Sequence, residues 1–164
     1  MAKLALKIKL LTPTAKMPTR AHEGDLYDIY ADEDKEISSA PTLVSTGLAF
    51  DIPEGYQVRI YNRSSNPLKY GLILGNSVGI IDTHYKDEVK GIFYCADYIA
   101  TEHLSILQPE VITYRTIKHR THVIHKGDKI MQMELVKIND FDVIETQELD
   151  KTNDRGGGFG STGN

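Results

Sequence analysis

Hydrophobic and polar residues alternate with a period of two in several short stretches of the chain. In "KLALKIKLL", every second residue from Leu4 to Leu10 is apolar, and two of the residues between them are lysines. "YQVRIY" at 56–61 repeats the alternation after a turn-forming "DIPEG". A period of two is typical of a strand with one buried face. We therefore predict a β-strand at each position.

Further short apolar runs extend this pattern. "YGLILG" and "SVGIID" are separated by a "GN" turn, and "THYKDE" between "SVGIID" and "VKGIFYC" suggests a hairpin. "THVIHKGDKIMQMELVKI" indicates two strands joined by a turn at Lys126, Gly127 and Asp128. No long stretch has the 3.6-residue period of an amphipathic helix. Many short strands with frequent turn signals predict an all-β sandwich or barrel.

Two segments depart from the strand pattern. Residues 96–120 form a long connection in which "DYIATEHLSIL" has the composition of a short helix before Pro109. From about Asp150 the apolar content falls sharply and glycine dominates. We therefore divide the chain into a β-domain at 1–149, with an insertion at about 96–120, and a flexible C-terminal arm at 150–164.

Composition narrows the class of protein. Hydrophobic residues make up 40% and charged residues 26%, which is near the globular average. A net charge of −4 argues against binding nucleic acid through a basic surface. The single cysteine excludes an intrachain disulfide and favours a reducing compartment. No apolar run approaches the roughly 20 residues of a membrane span. We expect a cytoplasmic protein, in the host cytoplasm if it is viral.

The glycine-rich tail "RGGGFGSTG" combines groups that suit a nucleotide. Glycine lets backbone N–H groups approach an anion closely, and Arg155 offers a planar fork that suits phosphate. Phe159 can stack on a flat ring, and Ser161 and Thr162 add hydroxyl donors. These features suggest a nucleotide lid, but on composition alone a disordered Gly/Ser tail is the better interpretation, because no Walker-type Gly-Lys-Ser/Thr ending is present.

Several other stretches contain candidate catalytic or binding residues, but none of these stretches is specific by itself. Arg63 is followed by two hydroxyls, and Asp82 ends an apolar run beside a turn, where a carboxylate can act as a base. "EGDLYDIYADEDKE" groups four aspartates, one of which could hold Mg²⁺. Ordinary turns and solvated loops explain each stretch in isolation. His119, His122 and His125 alternate across a strand, so a basic loop explains them better than a shared metal does.

The order of these motifs resembles a known family. "GDLYDIYA", "GLAFDIPEGYQVRIYNRSS", "YGLILGNSVGIIDTHYKDEVKG", "GDKIMQMELV" and "DRGGGFGSTG" occur in the order of the five signature segments of the homotrimeric dUTP nucleotidohydrolases, or dUTPases. The resemblance covers nearly the whole chain outside 96–120. It implies a jelly-roll-like β-fold and a homotrimer with an exchanged C-terminal arm. Each of its three active sites would be assembled from three chains.

The resemblance also implies an activity. The family hydrolyses dUTP to dUMP and pyrophosphate, which supplies dUMP and keeps uracil out of DNA. Asp82 matches the general base that activates water for attack on the α-phosphorus. Asp28 matches the aspartate that holds Mg²⁺ through water, with the ion chelated by the three phosphates. The implied substrate contacts are Arg63, Ser64, Ser65, Asn76, Gly79, Tyr85, Lys90, Gln132, Arg155, Phe159, Gly160, Ser161 and Thr162.

Two alternatives stay open at this stage. A dCTP deaminase of the same fold also carries an Arg-Ser-Ser segment, but Asp82 and the complete arm favour hydrolysis. A regulatory binding protein that engages a partner through 96–120 is the other alternative, and this role is compatible with catalysis.

Overall fold

The computed structural model describes residues 4–104 and 112–152, which form strands and one short π-helix at Asn66–Tyr70. The all-β prediction is confirmed. In chain order the strands are β1 (Lys7–Leu10), β2 (Tyr27–Tyr30), β3 (Lys35–Ile37), β4 (Thr42–Asp51), β5 (Tyr56–Asn62), β6 (Leu72–Leu74), β7 (Val78–Ile81), β8 (Val89–Cys95), β9 (Tyr98–Leu104), β10 (Ile112–Lys118), β11 (His122–Ile124) and β12 (Lys129–Lys137).

Two four-stranded antiparallel sheets contain most of the strands. One sheet has the order β1-β4-β8-β6 and the other has the order β2-β12-β5-β7. The buried core includes Phe50, Phe93, Leu48 and Val58, which come from both sheets. Along β8 buried and less buried residues alternate, as the period-two pattern requires. Two smaller pairs, β3 with β11 and β9 with β10, complete the strand pairing.

Several pairings differ from the sequence-based expectations. The predicted hairpin across "THYKDE" is wrong, because β7 pairs with β5 while β8 pairs with β4 and β6. The short helix expected in "DYIATEHLSIL" is also wrong. Tyr98–Leu104 within this stretch forms β9, which pairs antiparallel with β10 from Tyr98↔Lys118 to Leu104↔Ile112. Pairing with the next strand along the chain outweighs the ambiguous local pattern.

A bulge in β4 lies against the loop that contains Ala15 and the loop that contains Asp32. The register of β4 against β8 shifts between Ser45 and Leu48, and Gly47 has a φ of +66° in this interval. A Cβ at Gly47 would lie 2.6 Å from Ala15 Cβ and 2.8 Å from an Asp32 carboxylate oxygen. Both the backbone angle and the close approach therefore require glycine here.

Asp32 is a buried carboxylate beside this bulge. It accepts a hydrogen bond from the Thr12 hydroxyl, and its Oδ1 lies 3.5 Å from Lys126 Nζ. Burial raises the pKa of Asp32, but hydrogen bonds from Thr12 and Thr14 and the charge of Lys126 bring the pKa below its ordinary value. Ionised Asp32 therefore favours the folded state above its unfolded pKa, and this contribution is lost as pH falls through the depressed pKa.

Replacing Lys126 with methionine should lower the free energy of unfolding by about 1–2 kcal/mol at pH 7, since a buried carboxylate loses its cation. The effect should shrink as Asp32 becomes protonated in acid. The measurement is the urea midpoint at fixed protein concentration, from pH 7 down to the acid limit of folding. Lys86→Met is the matched control, because its partner Asp51 is 63% exposed and such pairs contribute little. Equal losses in the two variants, or a loss independent of pH, would contradict this account.

After β12 the described chain has no regular secondary structure up to residue 152, and its residues are exposed. The helix present in the described residues is far too short to cross a membrane. The arm beginning at 150 continues into 153–164, which lies outside the described residues.

Candidate functional site

A buried aspartate on β2 organises the first group of site residues. Asp28 is only 6% exposed and lies opposite Gln132 in the register of β2 and β12. Gln132 Nε2 donates a hydrogen bond of 3.1 Å to Asp28 Oδ1, and Arg63 Nε lies 3.2 Å from the same oxygen. The structure thus brings Asp28, Arg63 and Gln132, which come from three separate signature segments, into direct contact.

Lys129 belongs to the same group, although the sequence did not single it out. Its Nζ lies 2.9 Å from Asp28 Oδ2. The hydrogen bond and charge of Asp28 raise the pKa of Lys129, so the ammonium stays charged. The register of β12 against β2 shifts between Lys129 and Met131, and such irregularities re-aim side chains. The sequence feature that could have identified Lys129 is its place at the start of β12, in the same signature segment as Gln132.

Arg63 is held between two strands. Besides Asp28, it contacts the backbone of β12 through a hydrogen bond of 3.1 Å from Nη1 to the Lys129 carbonyl. These contacts use two of the five N–H donors of the guanidinium, so the fork keeps donors for an anion. Asp28, Arg63, Lys129 and Gln132 are called the carboxylate cluster below.

The two serines after Arg63 lead into the π-helix. Ser64 is exposed and Ser65 is half-buried, and Ser65 is the residue just before the helix. The Ser65 side chain makes no capping hydrogen bond there. Asn66 fixes the helix to its surroundings, because its Nδ2 donates to Asn62 Oδ1 at 2.8 Å and to the Ile130 carbonyl at 2.9 Å. The serine hydroxyls are therefore presented next to Arg63 by an anchored backbone.

The second group of site residues surrounds the turn between β6 and β7. Asn76 lies in this turn, where Ser77 has a φ of 59° and Val78 N donates to the Asn76 carbonyl at 2.6 Å. Gly79 on β7 is buried, and a Cβ there would lie 3.3 Å from Asn76 Nδ2. The turn between β6 and β7 does not close a hairpin, because these two strands pair in different sheets. The turn is instead a corner between the two sheets.

Asp82 follows β7 and is exposed, and its neighbours hold its loop in place. The buried Thr83 donates from its hydroxyl to the Tyr56 carbonyl at 2.7 Å, and Tyr85 N donates to the Asp82 carbonyl at 3.1 Å. Tyr85 is 41% exposed, and its hydroxyl donates to the Glu88 carbonyl at 2.9 Å. Thr83 thus ties the backbone next to Asp82 to the start of β5, a contact that the sequence did not reveal.

Lys90 on β8 is exposed and lies 3.2 Å from Glu88. Glu88 also accepts a hydrogen bond of 2.9 Å from Gly47 N, which ties the loop after Asp82 to the β4 bulge. The residues Asn76, Gly79, Asp82, Tyr85 and Lys90 are called the corner group below. No hydrogen bond or ion pair within residues 4–104 and 112–152 joins the corner group to the carboxylate cluster.

The remaining candidate residues are five in the C-terminal arm and three histidines. Arg155, Phe159, Gly160, Ser161 and Thr162 lie outside the described residues. The three histidines have separate neighbours: His119 Nδ1 is 2.9 Å from Asp97, His125 Nδ1 is 3.5 Å from Asp34, and His122 stacks on Tyr70 with ring centroids 4.2 Å apart. In the part of the chain described, no three His, Cys, Asp or Glu side chains converge to hold a metal ion.

Comparisons with known proteins agree with this architecture. The fold has the jelly-roll β-type of the dUTPases, and the dUTPase family model matches residues 13–100. The chain belongs to the dUTPase family. A deoxyuridine 5'-triphosphate nucleotidohydrolase of Hydrogenobaculum sp. is 34% identical across 98% of this chain and 99% of its own length. The corresponding protein of Paramecium bursaria Chlorella virus 1 is 35% identical across 97% of this chain and 98% of its own.

Solved structures give the same result. A mutant dUTPase of Staphylococcus bacteriophage 80alpha, bound to dUpNHpp, superposes with a TM-score of 0.76 at 28% identity, covering 97% of this chain and 98% of that one. A mutant dUTPase from phage phi11 of S. aureus has a TM-score of 0.69 at 27% identity, covering 88% and 98%. The latter structure is described as showing the coordination of a structural Mg(II) ion in that protein.

Proposed function

We propose that this chain hydrolyses dUTP to dUMP and pyrophosphate as a homotrimer. The carboxylate cluster carries the proposal. It joins three of the family's signature segments through Asp28 and leaves cationic donors on Arg63 and Lys129 for a triphosphate. Such preorganised donors stabilise the charge that develops during phosphoryl transfer.

Asp82 is the proposed general base. Its carboxylate accepts a proton from water, whose oxygen attacks the α-phosphorus in line. The bond from that oxygen to phosphorus forms as the bond to the bridging α–β oxygen breaks, and pyrophosphate leaves. Because no hydrogen bond or ion pair among the described residues joins Asp82 to the carboxylate cluster, the proposal has a neighbouring subunit of the homotrimer bring them together.

The chain's own residues fit a metal ion that is held by the substrate. Asp28 accepts a hydrogen bond from Gln132 and forms ion pairs with Arg63 and Lys129, and its two carboxylate oxygens keep the capacity to accept from a water molecule as well. Mg²⁺ prefers to keep several waters and to bind substrate phosphates, so Asp28 would hold it through one of those waters. When bound, the ion would offset the charge of the phosphates.

The corner group is the proposed nucleoside site. Backbone groups between Asn76 and Gly79 would read the uracil edge, and a substrate lacking the matching pattern would leave them unpaired. A side chain at Gly79 would be tightly packed, because its Cβ would lie 3.3 Å from Asn76 Nδ2 and would displace that side chain by a few tenths of an ångström. Tyr85 would lie beneath the deoxyribose, and Lys90 would contribute a cation from β8.

The arm at 150–164 is proposed to close over a neighbour's substrate. Arg155 would bind the terminal phosphate, Phe159 would stack on the uracil ring, and Gly160, Ser161 and Thr162 would donate to the phosphates. The β-domain at 1–149 would supply the other contacts. In this proposal the exchanged arm acts in catalysis, and the β-domain forms the trimer.

Pyrophosphate release should distinguish the substrates sharply. We expect dUTP to be preferred over dCTP by about 10⁴-fold in kcat/KM, because a polar site rejects a ligand that leaves its groups unpaired. Removing Mg²⁺ with a chelator should abolish turnover. The measurement is pyrophosphate release across the deoxynucleoside triphosphates in magnesium buffer, with ammonia release from dCTP measured in parallel. Ammonia from dCTP, or no pyrophosphate from dUTP, would refute the proposal.

A further inference from the structure

A cavity of about 750 Å³ lies beside the carboxylate cluster, on the side of the π-helix. Its walls come from Arg63, the π-helix and the segment that runs from β11 into β12. The volume falls in the range of roughly 300–1,000 Å³ that is usual for small-molecule sites. None of the functional contacts proposed above uses the far part of this cavity, around Lys69, Tyr70 and His122.

The cavity is lined by more cations than anions. Arg63, Lys69 and Lys129 contribute positive charge, whereas Asp128 contributes the carboxylate among the lining residues. Asp128 Oδ2 already accepts a hydrogen bond of 2.8 Å from His125 N, and buried Asp28 offsets part of the charge of Arg63 and Lys129. Lys69 has no ion-pair partner within the described residues, so its ammonium is available to a ligand.

The walls are fixed before any ligand arrives. The His122 ring stacks on Tyr70 at 4.2 Å with an interplanar angle of 17°, which joins β11 to the end of the π-helix. Gly71 ends that helix with a φ of 67°, and its N–H donates to the Pro67 carbonyl at 3.2 Å. Ala96 N then donates to the Gly71 carbonyl at 2.8 Å. Because the cavity is already formed, its residues lose little conformational entropy when it binds a small anion.

His122 adds a polar ring that is neutral at pH 7. Burial lowers the pKa of His122, with a further lowering from His125 that the charge of Asp128 opposes. The imidazole can therefore donate or accept one hydrogen bond without adding charge. The aromatic wall and the cations together suit a compact, highly charged anion.

We propose that this cavity is a binding site for inorganic pyrophosphate, held by Lys69 with Arg63 and Lys129. The proposed function supplies this anion at the adjacent phosphate site, and the inference rests on that function for the source of the ligand. A nucleic acid fits less well, because the whole chain carries a net charge of −4. The site gives the leaving pyrophosphate a place to bind after it separates from the α-phosphate.

Calorimetric titration of inorganic pyrophosphate into the full-length chain, in metal-free buffer, tests the site. We expect Lys69→Met to weaken binding by about tenfold or more, because a charge-assisted contact is lost. Lys69→Arg should bind within about threefold of the original chain, since the charge is kept. Lys9→Met is the control. Lys9 is exposed on β1, away from the cavity, and its loss should leave the affinity unchanged.

The outcomes separate this site from the proposed function. Equal pyrophosphate affinity in Lys69→Met and the original chain, or no measurable binding, would overturn the site even if dUTP is hydrolysed. Lys69-dependent binding by a chain that leaves dUTP intact would support the site and refute the proposed function.

Discussion

Replacing Asp82 with asparagine should reduce kcat for dUTP hydrolysis by about 10²–10⁴-fold, the usual contribution of a general base. Asparagine keeps the shape of the side chain and removes its basicity. The loop should keep its position, because Thr83 still donates to the Tyr56 carbonyl and Tyr85 N still donates to the carbonyl of residue 82. Binding of a non-hydrolysable dUTP analogue should therefore change little.

The measurements are steady-state kinetics and analogue titration on the same preparation. Asp87→Asn is the matched control, because Asp87 is exposed in the same loop and no role is proposed for it. A loss of analogue affinity that matches the loss of kcat/KM would make Asp82 a binding residue. Near-normal turnover in Asp82→Asn would remove the base assignment altogether.

The strands were predictable because their signal is local. The period of two in "YQVRIY" matches the alternating burial along β5, and β1 formed over Lys7–Leu10, the second part of the stretch predicted around Ile8. Strand pairing was less predictable, since it depends on which distant segments complete a core. β7 and β8 are neighbours in sequence, yet each pairs with strands of its own sheet. β9 forms a strand where the local pattern suggested a helix because it pairs along its length with the next strand, β10.

The candidate site was also predictable only in part. The order of the motifs pointed to Asp28, Arg63 and Gln132, and the structure places these side chains in contact. Lys129 and Thr83 were missed because a lysine at a strand start and a threonine in a turn are common in any β-protein. Their importance depends on what lies across the sheet, namely Asp28 for Lys129 and the Tyr56 carbonyl for Thr83.

Ending the chain after Thr152 should reduce kcat/KM for dUTP by about 10²–10⁴-fold while the trimer still forms. The truncation removes the phosphate fork of Arg155, where a charged hydrogen bond contributes about 1.5–3 kcal/mol. It also removes the ring of Phe159, where base stacking contributes about 1–3 kcal/mol. Because these contacts would reach the substrate and not the β-domain, their loss should act on catalysis alone.

Assembly should survive because the truncated chain keeps the exposed apolar residues that precede the arm. Phe141, Val143, Ile144 and Leu149 are 76–89% exposed in one chain, and side chains of this size are usually covered in an assembly. Light scattering measures the assembly, and pyrophosphate release measures catalysis. Arg155→Ala and Phe159→Ala in the full-length chain show how much of the loss in kcat/KM comes from the Arg155 guanidinium and how much from the Phe159 ring. Dissociation of the truncated chain into monomers would show that the arm holds the trimer together, and full activity without the arm would show that the site closes by other residues.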